Sequence, residues 1–133
     1  MADPGPTLLV VEDEPANRAL LRAVLARSRD ERLGRTELLE AGSIEDARTI
    51  LAEAAVDLVL LDVRLPDGSG LDLASEIRDT RPPKPRVVIL SASVLPSERG
   101  AALESGADAF LGKPYAPSEL VDLLVEVLAR ART

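Results

Sequence analysis

Residues 56–62 read Val-Asp-Leu-Val-Leu-Leu-Asp, a short apolar run that ends on a carboxylate. Its brevity and its aliphatic content predict a buried strand over residues 56–61. A carboxylate placed where a buried strand meets a turn is costly, and it persists when it has a partner or a chemical role. Asp62 is therefore the first candidate for a functional residue.

Three further apolar runs end on polar side chains in the same way. The side chains that follow them are Glu12 with Asp13, Ser91 and Lys113. Amphipathic segments separate the runs, and five strands alternating with five helices predict a parallel sheet with helices on both faces. In such sheets ligands bind outside the carboxyl ends of the strands, so one edge should carry three acids, one hydroxyl and one ammonium.

The predicted elements alternate along the whole chain. Strands are expected at residues 7–11, 36–40, 56–61, 86–90 and 109–111. The charged segment 27–35 is predicted to be a helix end and a loop, and the Pro- and Gly-rich segment 65–70 a loop. The first helix should bury the stripe Leu20, Leu21, Val24 and Leu25. In the fourth helix we expect Ala101 and Leu103 to face inward and Gly106 to end the helix.

The composition limits the possible kinds of site. A chain of 133 residues predicts one domain, and we place a disordered tail at residues 1–6 and the folded domain at residues 7–131. Cysteine and histidine are both absent. Their absence excludes disulfides, thiolate or imidazole metal ligands and a Ser-His-Asp triad within this chain.

The charge and the N-terminus limit the possible partners. A net charge of −7 argues against nucleic-acid or anionic-lipid binding by the whole surface. Residues 1–6 lack the basic and apolar regions of a signal peptide, and the apolar runs are too short to span a membrane. We therefore expect a cytoplasmic protein that binds neither nucleic acid nor membrane.

The polar residues at the predicted sheet edge suit phosphoryl chemistry. Glu12, Asp13 and Asp62 would repel one another, which predicts a bound cation. Oxygen ligands without histidine or cysteine favour Mg²⁺, with Mn²⁺ as the alternative. Lys113 and Ser91 are apt partners for the oxygens of a phosphoryl group. Asp62 can be the nucleophile, because carboxylates form aspartyl phosphates.

These motifs, taken in order, resemble the receiver domain of two-component response regulators, a family that includes the chemotaxis response regulator. The matching stretches are Val-Glu12-Asp13-Glu, Leu-Leu-Asp62-Val-Arg-Leu-Pro66-Asp-Gly68, Leu-Ser91-Ala92, Gly106-Ala107 and Lys113-Pro114. The resemblance runs over residues 7–130, nearly the whole chain. It implies a flavodoxin-like, doubly wound (βα)5 fold with a five-stranded parallel sheet in the order 2-1-3-4-5.

The resemblance implies a role for each acid. Asp62 would be the phosphoacceptor, taking a phosphoryl group from a histidine kinase or a histidine phosphotransfer protein. Glu12 and Asp13 would hold Mg²⁺ together with Asp62 and the backbone carbonyl of Arg64. The chemistry of the chain would be limited to its own phosphorylation and dephosphorylation, so an enzyme acting on other substrates is not expected.

The resemblance also implies a switch. Ser91 and Lys113 would bind the phosphoryl group, and Phe110 would be the aromatic that rotates inward when Ser91 moves. The face formed by the fourth helix, the last strand and the last helix would then bind a downstream protein, with the chain a monomer or a phosphorylation-dependent dimer. Ser91 stands where Thr is also common, and Phe110 lacks the hydroxyl of a Tyr.

Three alternatives stay open beside this leading hypothesis. A haloacid-dehalogenase-like phosphatase would also use Asp62 with Mg²⁺, but that family has a second Asp two residues on, where this chain has Arg64. A flavodoxin-like electron carrier fits the fold, although acidic strand ends would repel a flavin phosphate. A receiver fold that works without phosphorylation is disfavoured, because every reactive residue is present.

Overall fold

The structure, a computed structural model, describes residues 5–92 and 96–130. Residues 1–4 of the predicted tail and residue 131 of the predicted domain lie outside the described residues. Pro6 is buried, and its carbonyl accepts a hydrogen bond of 2.9 Å from the backbone N–H of Glu37.

Five strands alternate with five helices along the described chain. They are β1 (Thr7–Val11), α1 (Pro15–Ala26), β2 (Glu37–Ala41), α2 (Ile44–Glu53), β3 (Leu58–Asp62), α3 (Gly70–Arg78), β4 (Arg86–Ser91), α4 (Pro96–Glu104), β5 (Ala109–Gly112) and α5 (Pro117–Ala129). A helical turn at Glu31–Gly34 precedes β2, and a two-stranded hairpin of Arg64–Leu65 and Gly68–Ser69 follows β3.

The five main strands form one parallel sheet in the order β2-β1-β3-β4-β5. This result confirms the predicted flavodoxin-like fold and its strand order. In the central strands, residues 8–11 of β1 and 58–61 of β3 are aliphatic and buried, as continuous apolar runs in parallel sheets require.

Successive side chains along each strand serve two separate cores. Leu8 and Val10 face a cluster completed by α1 and α5, whereas Leu9 and Val11 face a cluster completed by α2, α3 and α4. The period of two along a strand produces this division. The sheet is therefore covered on both faces, and its two ends remain the places where polar groups can gather.

Two predicted helix faces were partly wrong. Leu20 is 57% exposed. The helix α1 packs on the sheet through Leu21 and Leu25, so Leu20 lies at the edge of its apolar face. In α4 the buried residue is Ala102, while Ala101 and Leu103 are exposed. The small residues of α4 carry little hydrophobic contrast, so the sequence gives a weak indication of which face is turned inward.

Two predicted loops contain regular structure. The segment 27–35 includes the helical turn 31–34, which Asp30 caps by accepting a 2.9 Å hydrogen bond from the backbone N–H of Leu33. The segment 65–70 contains the second strand of the hairpin. In addition, β3 extends one residue beyond the predicted end, because its pairing with β4 continues to Asp62, opposite Leu90.

The amino ends of β4 and β5 carry a group of basic side chains around a cavity of about 650 Å³. These side chains are Arg78, Lys84, Arg86 and Arg130. Arg78 donates to the last carbonyl of α4 (3.0 Å), Lys84 to the last carbonyl of α3 (2.5 Å), Arg86 to the carbonyl that follows α5 and Arg130 to the carbonyl before β5 (2.8 Å). Cations at helix carboxyl ends offset the negative end of each helix dipole.

Candidate functional site

The carboxyl ends of four adjacent strands place the predicted site residues side by side. Glu12 follows β1, Asp62 ends β3, Ser91 ends β4 and Lys113 follows β5. The backbone N–H of Lys113 donates to the carbonyl of Ser91 at 2.7 Å, which keeps the last two strand ends in line. The fold therefore brings together at one edge four of the five side chains that the sequence predicted there, and the fifth, Asp13, directly follows Glu12.

Lys113 links two of the acids. Its Nζ lies 3.1 Å from Glu12 Oε2 and 3.3 Å from Asp62 Oδ2. Burial alone would lower the pKa of Lys113, but the hydrogen bond to Glu12 and the charge of Asp62 outweigh burial and raise this pKa. Lys113 is therefore held as an ammonium between the two carboxylates.

The three acids form a compact cluster. One carboxylate oxygen from each of Glu12, Asp13 and Asp62 lies within 4.8 Å of the others. Glu12 is buried, Asp62 is partly buried and Asp13 is exposed, so the cluster opens to solvent on one side. The donor set is entirely oxygen, which fits a hard divalent cation such as Mg²⁺ or Mn²⁺.

Glu12 is the buried member of this cluster. Only 2% of the residue is exposed. Its Oε1 accepts hydrogen bonds from the backbone N–H of Glu14 (3.1 Å) and the side-chain amide of Asn17 (3.3 Å), while Oε2 faces Lys113. Asn17 thus contacts the site from α1, although the sequence had given it no role.

The pKa values of Glu12 and Asp62 shift in opposite directions. Burial is the largest influence on Glu12 and raises its pKa, but hydrogen bonds involving Asp62, the backbone at Glu14 and Lys113 together lower it below its ordinary value. Burial and the neighbouring Glu12 raise the pKa of Asp62, and Lys113 only partly opposes them. The two carboxylates lie close enough to influence each other's ionisation, and an additional cation at the cluster would favour the charged form of both.

A cavity of about 270 Å³ opens beside Asp62. It is lined by Asp62, Val63, Arg64, Ser91, Ala92 and Lys113. Ser91 is only 5% exposed, so its hydroxyl belongs to the inner wall. A carboxylate, a hydroxyl and an ammonium that face one space can surround a tetrahedral anion next to a nucleophilic oxygen.

Arg64 lines this cavity, whereas Phe110 does not. The backbone N–H of Arg64 points to Asp62 Oδ1 at 3.4 Å, so the main chain at this position borders the acid. Phe110 is half-buried and packs on the side of the sheet covered by α2, α3 and α4, outside the residues that line the cavity. The guanidinium of Arg99, on α4, lies 5.5 Å from the centre of its ring.

Two side chains that the sequence did not single out fix the loops of the site. Arg18 Nη1 donates to the carbonyl of Glu12 at 2.6 Å. Asp67 accepts hydrogen bonds from the first backbone N–H groups of α2, at Ile44 (2.9 Å) and Glu45 (3.0 Å). These hydrogen bonds hold the chain after Asp62 against α2 and lower the pKa of the Asp67 carboxyl. Helix amino ends favour such acids.

Gly70 packs directly against the backbone of the central acid. A Cβ at this position would lie 2.0 Å from the carbonyl oxygen of Asp62, and the Gly70 N–H donates to the carbonyl of Val63 at 2.7 Å. The absence of a side chain therefore allows α3 to begin beneath the site. In the sequence, a glycine beside a Pro-Asp-Gly loop indicates a turn, but it does not indicate the contact with the Asp62 backbone.

A second cavity, of about 240 Å³, lies on the α1 side of the cluster. Tyr115 lines it together with Glu12, Lys113 and several apolar side chains, among them Leu20 and Leu21. Burial raises the pKa of the Tyr115 phenol, and the charge of Lys113 opposes this effect. The exposed Leu20 thus borders a cavity that reaches the buried acid.

The chain is similar in sequence to known bacterial regulators. It is 36% identical over 132 residues to the transcriptional regulatory protein AruR of Pseudomonas aeruginosa, covering 96% of this chain and 51% of that protein. It is 34% identical to part of the sensory/regulatory protein RpfC of Xanthomonas campestris, covering 94% of this chain and 17% of that protein. The chain thus spans about half the length of AruR and less of RpfC.

The chain is also similar to solved structures of receiver domains. The non-phosphorylated HemR receiver domain of Leptospira biflexa is 31% identical, with a TM-score of 0.82 and coverage of 96% of this chain and 98% of that one. The BeF3-activated N-terminal receiver domain of Klebsiella pneumoniae RstA is 25% identical, with a TM-score of 0.82 and coverage of 93% and 99%.

Among the described residues, no helix combines the length and the apolar character that a bilayer span requires. The model of the response regulator receiver domain family matches residues 8–125, which include all the predicted site residues and the whole sheet except Thr7, the first residue of β1. The chain therefore belongs to the response regulator receiver domain family of two-component systems.

Proposed function

We propose that the chain is a phosphoacceptor that takes a phosphoryl group onto Asp62 from a histidine kinase or a histidine phosphotransfer protein. The single observation that carries this proposal is the contact of Lys113 with both Glu12 and Asp62 beside an open cavity. An ammonium fixed 3.3 Å from the acceptor carboxylate is placed to bind an oxygen of the incoming group.

The residues present fit a divalent cation. Glu12, Asp13 and Asp62 would hold Mg²⁺ or Mn²⁺, with the backbone carbonyl of Arg64 as a further ligand. The reason is the donor chemistry: three carboxylates within 4.8 Å leave a surplus of negative charge that one lysine does not balance. When bound, the cation would neutralise part of the negative charge of the carboxylates, which otherwise repels the phosphoryl group.

The residues of the chain would then act as follows. An oxygen of Asp62 attacks the phosphorus, and the bond between phosphorus and the donor's imidazole nitrogen breaks. Lys113 and the Ser91 hydroxyl bind oxygens of the transferred group. Burial and Glu12 raise the pKa of Asp62 in the metal-free cluster, and the positive charge of Lys113 opposes this effect and favours the carboxylate that attacks. Hydrolysis of the aspartyl phosphate would end the cycle, with no other substrate.

The output would come from a shift between two packings of one face. Ser91 moving toward the phosphoryl group would let Phe110 turn inward, and the face formed by α4, β5 and α5 would bind a downstream protein as a monomer or as a phosphorylation-dependent dimer. The half-buried position of Phe110 supports this proposal, since the ring borders both solvent and the core.

The proposal is tested by intact-mass spectrometry after incubation with acetyl phosphate and Mg²⁺. The wild-type chain should gain one phosphoryl group, and Asp62→Asn should gain none. Asp72→Asn is the matched control, because Asp72 is an exposed acid on α3 outside the cluster. Phosphorylation of Asp62→Asn at the wild-type level would show that the acceptor is another residue.

A further inference from the structure

We propose that Arg18 is a positioning residue for the metal site: its guanidinium fixes the backbone that carries Glu12 and Asp13. This inference rests on the proposed function, because it concerns the affinity of the same acidic cluster for a divalent cation. Arg18 touches neither Asp62 nor the cavity beside it, so its effect would be transmitted through the main chain.

The contacts of Arg18 join three elements. Its Nη1 donates to the Glu12 carbonyl at 2.6 Å, and its Nε lies 3.4 Å from Glu40 Oε1 on β2. The side chain is 22% exposed, so most of it is packed between α1 and the sheet edge. A single guanidinium thus ties α1 to the end of β1 and to the neighbouring strand.

The Glu12 carbonyl needs this donor because it lies beyond the end of the strand ladder. The Glu12 N–H, one residue past the end of β1, still donates to the carbonyl of Ala41 on β2 at 3.0 Å. The carbonyl of the same residue begins the peptide unit that leads to Asp13. A short, charge-assisted hydrogen bond from Arg18 sets the orientation of that peptide, and the direction of the Asp13 side chain follows from it.

Arg22 provides an internal comparison one turn further along α1. It binds the same Glu40 carboxylate through contacts of 2.8 Å and 3.2 Å, but its side chain is 57% exposed. Its hydrogen bonds go to Glu40 and not to the backbone at Glu12. Arg22 therefore shares the surface ion pair with Arg18 and lacks the contact that reaches the metal site.

The test is a Mn²⁺ titration of the unphosphorylated protein, in which the electron paramagnetic resonance signal measures the concentration of the free ion. Arg18→Ala should weaken Mn²⁺ binding about 10-fold, as loss of a residue that orients metal ligands does. Arg22→Ala should stay within about twofold of the wild type, because exposed ion pairs contribute little. Arg18→Lys, which keeps a charged donor, should recover part of the affinity.

A second readout separates positioning from general damage to the fold. In phosphorylation by acetyl phosphate, Arg18→Ala should raise the Mg²⁺ concentration that gives the half-maximal rate, while the rate at saturating Mg²⁺ changes less. If Arg18→Ala does not fold, Arg18→Gln, which keeps a neutral donor, is measured in its place and should show the same direction of change.

Three outcomes would overturn the inference, and they distinguish a failure of this inference from a failure of the proposed function. Equal Mn²⁺ affinity of the wild type and Arg18→Ala, or equal losses in Arg18→Ala and Arg22→Ala, would reject the role of Arg18 and leave the proposed function intact. A wild-type chain that neither binds Mn²⁺ nor accepts a phosphoryl group would reject both.

Discussion

The two ends of the central sheet handle charge in opposite ways. At the amino ends of β4 and β5, four basic side chains each donate to a backbone carbonyl, three of them at helix ends. At the carboxyl ends, three carboxylates lie within a few ångströms of one another, and two of them share one ammonium. The first arrangement supplies partners to groups that folding would leave unpaired, whereas the second keeps like charges together.

This difference separates stabilising from functional electrostatics. A charge that caps a helix stabilises the fold without any ligand, although salt weakens the effect. A cluster of like charges destabilises the fold until a ligand binds, so its presence indicates selection for binding. Substitutions at the carboxyl end should therefore respond to divalent cations, and substitutions at the amino end should not.

The largest expected effect is that of Gly70→Ala. Its Cβ would lie 2.0 Å from the Asp62 carbonyl oxygen, so α3 or the acid must move, and we expect a loss of about 3 kcal/mol in the free energy of unfolding. Mn²⁺ binding should weaken as well. Gly100→Ala is the control: its Cβ would meet nothing within 4 Å, and alanine favours the helix. Wild-type stability of Gly70→Ala in urea denaturation would contradict the close approach.

At the opposite end of the sheet, Gly106→Ala should cost about 2 kcal/mol. Gly106 has a φ of 94°, and a Cβ there would lie 2.7 Å from Cδ of Arg78, whose stem covers the turn. The loss should be the same with and without Mg²⁺, because this turn is remote from the acids. A loss that depends on Mg²⁺ would mean that the two ends of the sheet are coupled.

Asp62→Asn should instead raise stability by about 1 kcal/mol at neutral pH without divalent cations, since it removes one of the crowded charges. Burial and Glu12 raise the pKa of Asp62 above its ordinary 3.8, so the folded state binds this proton more tightly than the unfolded state. The gain should therefore be absent below pH 3.8 and grow as the pH rises through the folded pKa. Urea denaturation of both proteins at intervals from about pH 3 to about pH 7 measures this difference, because the range begins below the ordinary pKa of an aspartate and ends well above it.

Mg²⁺ should reverse the order of the two proteins. Because the cation would bind the folded wild type through three carboxylates, it should stabilise the wild type more than Asp62→Asn. Asp72→Asn again serves as the control for loss of one negative charge. Identical stability gains with Mg²⁺ for the wild type and Asp62→Asn would argue that Asp62 is not a ligand.

The smallest expected effect belongs to the exposed ion pair of α5. Glu126 and Arg130 are 3.0 Å apart at i, i+4 spacing, and both are exposed. Glu126→Gln should lower the free energy of unfolding by about 0.3 kcal/mol at low salt and by less at high salt. A loss above about 1 kcal/mol in thermal or urea denaturation would show that the pair has a larger structural role.

The sequence predicted the site edge because each strand ends at a visible change from apolar to polar residues. Asp62, Ser91 and Lys113 could be assigned to neighbouring positions once a parallel sheet was inferred. The roles of these residues in phosphoryl transfer stay predictions. The strand order came from the family resemblance, since alternation of strands and helices alone does not determine it.

The supporting contacts could not be read from the sequence. Arg18 looks like any polar residue on an amphipathic helix, and only the packing of α1 brings it to the Glu12 carbonyl. Asp67 reaches the amino end of α2 across 23 residues, a pairing that no local pattern indicates. The wrong faces of Leu20 and Leu103 have a related cause, because the rotation of a helix about its axis depends on its neighbours.

The position of Tyr115 has a practical consequence for spectroscopy. The chain has one tyrosine and no tryptophan, and that tyrosine lines the cavity that contains Glu12 and Lys113. The near-ultraviolet absorption and intrinsic fluorescence of the protein therefore arise almost wholly from a ring beside the acidic cluster. Changes of charge at the cluster can thus be followed optically in the native chain, without an attached dye.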